Sequence, residues 1–473
     1  MVATAPQLRG YQDKAANEIR DAFRQGYKSP LLVASTGWGK TVLFSYISAN
    51  AAAKQGKPLI LVHRWELMKQ ASNTLTKFGV RHGLIHADFT PDFTAPVQIA
   101  SVQTLANRLH YSNLFQPTLT IIDEAHHAAA KTWGKIFDAF PSLKLGVTAT
   151  PCRRDGKGLD DVFDTLVLGA GMQDLIQMGN LVQPVYYCPS VMDLSGVDTQ
   201  AGEYITSQLE KVVDKPTITG DAVAHYRKLA DGLPAVAFCV SRKHAEHVAQ
   251  QFREAGYSAY AVDGMTDDKE RERILSGLAN GTVQVVTSCD LISEGFDVPD
   301  IECGIMLCPT KSLSKYIQQG GRILRPKAGK RRAILIDHAG NVFRHGLLEE
   351  PREWSLAGEE KTAGKKKAAA ATVALKQCTA CYAVFKPALA CPECGTPIQT
   401  KGRELKQVDG VLVELDKEAL KRKKEAENLQ QKKEIWGAKN LDDLITIEKS
   451  RGYKKGWAEH IWTARISKQL KRG

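Results

Sequence analysis

Short apolar runs alternate with amphipathic stretches from Leu31 to Val147. The runs are Leu31-Leu32-Val33, Leu59-Ile60-Leu61-Val62, Gln98-Ile99-Ala100 and Leu119-Thr120-Ile121-Ile122. Each reads as a buried strand, and strands alternating with helices predict a parallel α/β sheet. The pattern breaks across residues 152–230, which are richer in Gly, Asp and turn signals. It resumes with Ala235-Val236-Ala237-Phe238-Cys239-Val240, then a helix from about Lys243 to Ala255 ended by Gly256. Val283-Gln284-Val285-Val286-Thr287 and Ala333-Ile334-Leu335-Ile336-Asp337 are further strands. Two α/β domains in tandem follow, over 1–180 and 220–346, with 181–219 as the connection. Residues 357–376, containing Lys365-Lys366-Lys367, read as a linker. A cysteine-bearing module over 377–398 comes next, and 399–473 form a basic tail with a charged helix at 416–435.

Composition changes this picture in two places. No apolar run reaches the roughly 18–20 residues of a membrane span, and no signal peptide is evident, so a cytoplasmic protein is expected. The net charge of +12 is unevenly placed. Residues 1–356 carry a net +2, whereas 357–473 hold 25 basic and 15 acidic residues, a net +10. A basic appendage on a near-neutral body points to a polyanionic partner, although charge runs are also common on solvated helices.

Two local motifs carry chemistry. Ala34-Ser35-Thr36-Gly37-Trp38-Gly39-Lys40-Thr41 follows an apolar run. Gly37 and Gly39 let backbone N–H groups close around a phosphate, Lys40 should reach the β- and γ-phosphates, and the Thr41 hydroxyl should bind Mg²⁺. Ala34 stands where the first glycine of such loops is usual. Downstream, Ile121-Ile122-Asp123-Glu124-Ala125-His126 delivers two acids to a strand end. Asp123 should hold Mg²⁺, and Glu124 should orient or deprotonate the attacking water. A phosphate loop followed by such a pair is the equipment of an NTPase using ATP.

With these residues the chain resembles the superfamily 2 helicases. Leu8-Arg9-x-x-Gln12 is similar to the upstream adenine-reading motif, with Gln12 on the base edge. Val62-His63-Arg64-x-Glu66-Leu67 and Ser101-Val102-Gln103-Thr104-Leu105 resemble two strand-gripping motifs, which implies that Arg64 and Thr104 touch nucleic acid. Thr148-Ala149-Thr150-Pro151 resembles the motif that couples hydrolysis to domain movement. In the second domain, Phe238-Cys239-Val240-Ser241-Arg242 resembles a further gripping motif, placing Ser241 and Arg242 on the strand. The segment 287–299 resembles the next, with Thr287 meeting phosphate backbone and Gly295 and Asp297 facing the nucleotide. Tyr316-Ile317-Gln318-Gln319-Gly320-Gly321-Arg322-Ile323-Leu324-Arg325-Pro326 resembles the arginine-finger motif. There Gln318, Arg322 and Arg325 join the catalytic set, and Gln319 stands where the family often has Arg. Gly320 and Gly321 argue against a plain surface helix at this point.

The resemblance implies two RecA-like domains with ATP between them, Lys40 and Asp123 on one wall and Arg322 and Arg325 on the other. Cys378-x-x-Cys381 and Cys391-x-x-Cys394 have the spacing of a structural four-thiolate Zn²⁺ ribbon. Trp436, Tyr453, Trp457 and Trp462 in the tail could stack on bases or form a small helical core. Ile334-Leu335-Ile336-Asp337-His338-Ala339-Gly340-Asn341, with Arg344-His345-Gly346, further resembles RadD-type bacterial helicases and their phage relatives. That implies ATP-driven work on single-stranded or forked DNA in repair, recombination or replication, within a bacterial or phage-infected cell. An RNA helicase and an ATPase switch that recruits a protein partner through ribbon or tail are the alternatives.

Overall fold

The structure is a computed structural model describing residues 7–153, 157–189, 192, 194–200, 202–214, 216–289, 301–357, 375–398, 434–435, 437–438, 440–451 and 456–469. Residues 1–399 form one compact unit and 400–473 a second.

The first sheet has strands β1 (Pro30–Val33), β2 (Pro58–Val62), β3 (His82–Ile85), β4 (Val97–Ser101), β5 (Leu119–Asp123), β6 (Leu143–Thr148) and β7 (Thr165–Leu168). Their order is β3-β4-β2-β5-β6-β1-β7, and every pairing is parallel. β1, β2 and β5 are buried along their whole length, as continuous Leu, Ile and Val runs require of strands covered on both faces. In a parallel sheet all carboxyl ends lie on one edge, which is where α/β proteins place ligands.

The second sheet comprises β8 (Gln183–Tyr187), β11 (Ala235–Phe238), β12 (Ala259–Val262), β13 (Val285–Ser288), β14 (Cys303–Met306), β15 (Arg332–Asp337), β16 (Lys376–Gln377) and β17 (Ala383–Phe385). Between β8 and β11 lie a small hairpin, β9 (Thr199–Gln200) with β10 (Glu203–Tyr204), and helix Thr206–Val213. The order of the large sheet is β12-β13-β11-β14-β15-β8-β17-β16. The expectation that 181–219 merely connects the domains is therefore corrected. β8 pairs in parallel with β15 from Gln183–Arg332 to Tyr187–Ile336, so the second domain begins with this strand.

The cysteine module is also continuous with this sheet. β17 pairs antiparallel with β8, which would otherwise be an open edge. Tyr187 donates to Glu393 at 3.3 Å, and Arg332 pairs with the same carboxylate at 2.9 Å.

After β15 the chain returns to the first domain. The Leu159 N–H donates to the Leu356 carbonyl at 2.7 Å, and Trp354 packs against first-domain core. Cys152, Cys188, Cys239, Cys303 and Cys308 are buried, as expected of small apolar side chains, while Cys289 is half-buried.

In the second unit, helices Leu441–Arg451 and Trp457–Gln469 pack around Leu444 and Ala458. Trp457 and Trp462 lie half-buried against that cluster, as the core reading allowed. Trp436, Tyr453, most of the linker and nearly all of the charged helix at 416–435 lie outside the described residues. Among the described residues, no helix is long and apolar enough to cross a membrane.

Candidate active site

β1 delivers the phosphate loop, and helix Lys40–Ala53 begins at its end. Gly37 and Gly39 take φ of +81° and +91°, conformations that cost side-chain-bearing residues energy. A Cβ on Gly39 would stand 2.5 Å from Gln12 Nε2, so the loop needs glycine for space as well. Lys40 Nζ donates to the Ala34 and Ser35 carbonyls at 3.2 and 3.4 Å. Burial lowers its pKa, against the attraction of Glu124 and Asp123. Gln12 receives the Arg9 N–H at 3.0 Å and donates to the Trp38 and Gly39 carbonyls at 3.3 Å. The side chain expected on a base edge thus also braces the loop.

Asp123 ends β5, 4% exposed, and its Oδ1 accepts the Glu124 N–H at 3.0 Å. Burial, then the neighbouring Glu124 charge, pushes its carboxyl up to about 7. A buried Asp123 beside a partly buried Glu124, both next to Lys40, fits a site made for a cation–phosphate ligand. Glu124 adopts φ +49°, ψ +53°, a left-handed turn that breaks the strand direction. Its Oε2 lies 3.4 Å from His126 Nδ1, which is 3.2 Å from Thr148 Oγ1. Thr148 donates to the Thr150 carbonyl at 2.9 Å, and Thr150 Oγ1 donates to Ser314 Oγ at 2.7 Å. A continuous polar path therefore runs from Glu124 into the second domain.

The opposite wall is helix Leu313–Ile323, capped by Ser312, whose Oγ accepts the Lys315 N–H at 3.2 Å. Gln318 and Arg322 lie on it, 6% and 8% exposed, and Arg325 follows its end. Burial lowers Arg325 to about 10. Gly320 and Gly321 lie inside this helix but on a buried stretch of it, in keeping with the expectation that it is no plain surface helix. What they provide is approach: a Cβ on Gly321 would fall 2.5 Å from Thr36 Cβ of the phosphate loop, and one on Gly320 2.4 Å from Leu348 Cδ1. Gln319 is buried at 1% exposure.

The walls enclose a cleft of about 700 Å³ that brings Lys40, Thr41, Asp123, Glu124, Gln318, Arg322 and Arg325 together with Gly37 and Gly39. Sequence reasoning missed part of its lining. Arg9, Asn180 and the side chains Glu66, Lys69, Gln70, Asn73 and Lys77 of helix Trp65–Lys77 also face it. Glu66 closes the cleft with Arg271 of the second domain at 3.1 Å. Gly295 and Asp297 lie outside the described residues.

Among the strand-gripping residues, Arg64 and Thr104 follow the adjacent strands β2 and β4. Gln103 Nε2 donates to the His63 carbonyl at 3.2 Å, so these segments meet. Ser241 caps helix Arg242–Glu254 by accepting the His244 N–H at 3.1 Å and donates to Glu210 at 2.9 Å. Arg242, exposed, pairs with Asp263. Thr287 departs from expectation. Its side chain is fully buried and donates to the Ala245 carbonyl at 2.7 Å, so the pleat turns it into the domain and away from a phosphate chain.

Cys378, Cys381, Cys391 and Cys394 converge with their sulfurs within 4.8 Å of one another. Cys378–Cys394 and Cys381–Cys391 are each 3.6 Å apart. Thiolates bound tetrahedrally at about 2.3 Å lie about 3.8 Å from each other, so the donor set fits zinc. The two knuckles repeat one pattern. Cys378 N–H donates to Ala383 and Tyr382 N–H to Cys378; Cys391 N–H donates to Thr396 and Gly395 N–H to Cys391. The residue after each second cysteine is left-handed, Tyr382 at φ +65° and Gly395 at +73°.

A parallel sheet and a mixed, largely parallel one in tandem, with a phosphate loop on one wall and paired arginines on the other, define a nucleotide-hydrolysing motor. Residues 5–153 match the family described as type III restriction enzyme, res subunit, and 220–327 match the helicase conserved C-terminal domain. A 51.5 kDa protein of a Lactococcus phage is 36% identical over 352 residues, 74% of each chain. The Saccharomyces cerevisiae protein IRC3, described as an ATP-dependent helicase, is 32% identical over 361 residues, 71% of this chain but only 52% of that one. The fold is shared with a DNA-bound ATP-dependent type ISP restriction-modification enzyme, LlaBIII, at TM-score 0.54 and 19% identity, covering 72% of this chain and 28% of that chain. The chain belongs to the superfamily 2 helicases.

Proposed function

We propose that the protein is an ATP-dependent DNA translocase or helicase. The observation that carries this reading is the facing of Lys40, Asp123 and Glu124 by Gln318, Arg322 and Arg325 across one cleft. In it, Lys40 and the Gly37–Gly39 loop would hold the phosphates and Thr41 and Asp123 would hold Mg²⁺, with Gln12, bonded to the loop carbonyls, as the base reader. When bound, Mg²⁺ neutralises phosphate charge. Glu124 accepts a proton from the attacking water while Arg322 and Arg325 stabilise charge on the phosphoryl oxygens. Closure brings Arg322 to the phosphates, and their release lets the walls part, moving Arg64 and Thr104 relative to Ser241 and Arg242. Cys378, Cys381, Cys391 and Cys394 hold a structural zinc that fastens β17 to β8. The DNA preference draws on the DNA-bound restriction enzyme that shares the fold, and a bacterial cell on the phage relative.

The test compares ATP turnover with single-stranded, duplex and forked DNA and with RNA. Stimulation by DNA above RNA, abolished in Lys40→Ala, is expected. Preferential stimulation by RNA would overturn the substrate assignment.

A further inference from the structure

An aromatic cluster stands beside the candidate strand-gripping edge and outside the nucleotide site. The Trp65 ring stacks on Phe89 at 5.3 Å with 26° between planes and tilts against His86 at 4.9 Å. Lys69 Nζ lies 5.3 Å from the Trp65 ring centre. Phe89 is 40% exposed, with Trp65 beneath it. Neither Trp65 nor Phe89 lines the nucleotide cleft, whereas Lys69 does.

Topology places the cluster. β3, β4 and β2 are neighbours and parallel, so their carboxyl ends lie side by side on one edge. Arg64 follows β2, Thr104 follows β4, and His86 and Phe89 follow β3. The three strand ends therefore present a guanidinium, a hydroxyl and an aromatic face in succession. Of the carboxylates nearby, Glu66 pairs with Arg271 at 3.1 Å, and Asp88 is exposed to solvent, 3.3 Å from His86 Nδ1.

We propose that Phe89, backed by Trp65, is a stacking platform for an unpaired nucleobase of the bound strand. The inference rests on the nucleic-acid reading given above. Every base offers a π-face, so an aromatic ring beside a cationic backbone grip binds single strands with little sequence preference. A duplex keeps its bases stacked on each other and offers the ring no such partner. Trp65 backs the Phe89 ring by stacking on it, and Lys69 places a cation 5.3 Å from the Trp65 ring centre.

The test uses the full chain with single strands of DNA and of RNA carrying 2-aminopurine, and a blunt DNA duplex. Phe89→Ala should weaken single-strand binding by about 5- to 100-fold and abolish the quenching that stacking causes. Phe89→Trp should retain both, Phe89→Leu should retain neither, and blunt-duplex affinity should hardly change. The DNA and RNA arms identify which strand uses the platform, and a loss on either supports it. Unchanged single-strand affinity and quenching in Phe89→Ala would overturn the proposal, as would rescue by Phe89→Leu, which points to apolar contact without stacking. A wild-type protein that binds neither strand removes the nucleic-acid reading itself, a result separable from failure of the platform alone.

Discussion

The Thr150 hydroxyl donates to the Ser314 hydroxyl at 2.7 Å, joining residues 164 positions apart in two different domains. Thr150 ends the path that begins at Glu124, and Ser314 opens the helix that carries Gln318 and Arg322. Both are buried. The bond therefore exists only when the arginine wall lies against the phosphate-loop domain.

Losing one partner of a buried hydroxyl pair costs about 1–3 kcal/mol. Thr150→Val should lower nucleic-acid-stimulated ATP turnover by roughly tenfold, with a smaller change in nucleotide affinity. Ser314→Ala should do the same, and the double variant should be no worse than either single one. Additive losses in that cycle would show that the two hydroxyls act independently.

Asp123 gives a pH signature. Its folded-state pKa, about 7, stands above the ordinary 3.8. The folded protein therefore binds this proton more tightly than the unfolded chain. The associated stability is fully present at low pH and is lost as pH rises from about 4 to about 7. Metal-free protein should melt at progressively lower temperature across that window, and Asp123→Asn should flatten the slope. Mg²⁺ with nucleotide should restore stability at pH 8. A wild-type slope equal to that of Asp123→Asn, measured by thermal unfolding without Mg²⁺, would contradict the burial argument.

The cysteine module is fastened to the motor, which alters the expected consequence of losing metal. About one zinc per chain should copurify. Cys391→Ser should release it and loosen β17, so amide exchange should rise in Tyr186 and Tyr187 of β8 as well as in residues 378–395. Exchange confined to 378–395 would mean that β17 holds its place without zinc.

Legibility in the sequence followed distance along the chain. The phosphate loop, the Asp123–Glu124 pair and the paired cysteines are local, and their backbone demands are written in adjacent residues. Fully buried strands such as β2 and β5 announced themselves as unbroken apolar runs. β3 did not, because an edge strand with alternating burial, His82-Gly83-Leu84-Ile85, carries little apolar signal. β8 was hidden for a different reason: it joins a sheet whose next partner in space, β15, lies about 150 residues away. The Glu66–Arg271 and Thr150–Ser314 contacts depend on how two domains meet, and no local pattern encodes that. Thr287 was misread because a strand end offers two faces one residue apart, and its hydroxyl took the inner one.

Residues 400–473 carry +7 of the net charge of +12. A chain ending at residue 399 retains the whole first unit, including β16, β17 and the Trp354 return. It should keep ATP turnover. Its affinity for a fluorescent single strand should fall, with a shallower dependence on salt, because fewer phosphate contacts release fewer counterions. Identical affinity and slope in both proteins would make the tail a solvated surface or a protein-binding one.

In the proposed mechanism the second domain completes the hydrolytic site through Arg322. The direct measurement is ATP turnover by Arg322→Ala alongside its nucleotide dissociation constant. An arginine acting on the transition state should be worth about 10³-fold or more in rate, with affinity changed only a few-fold. Near-normal turnover, or collapsed affinity with a normal rate for the bound enzyme, would contradict the account.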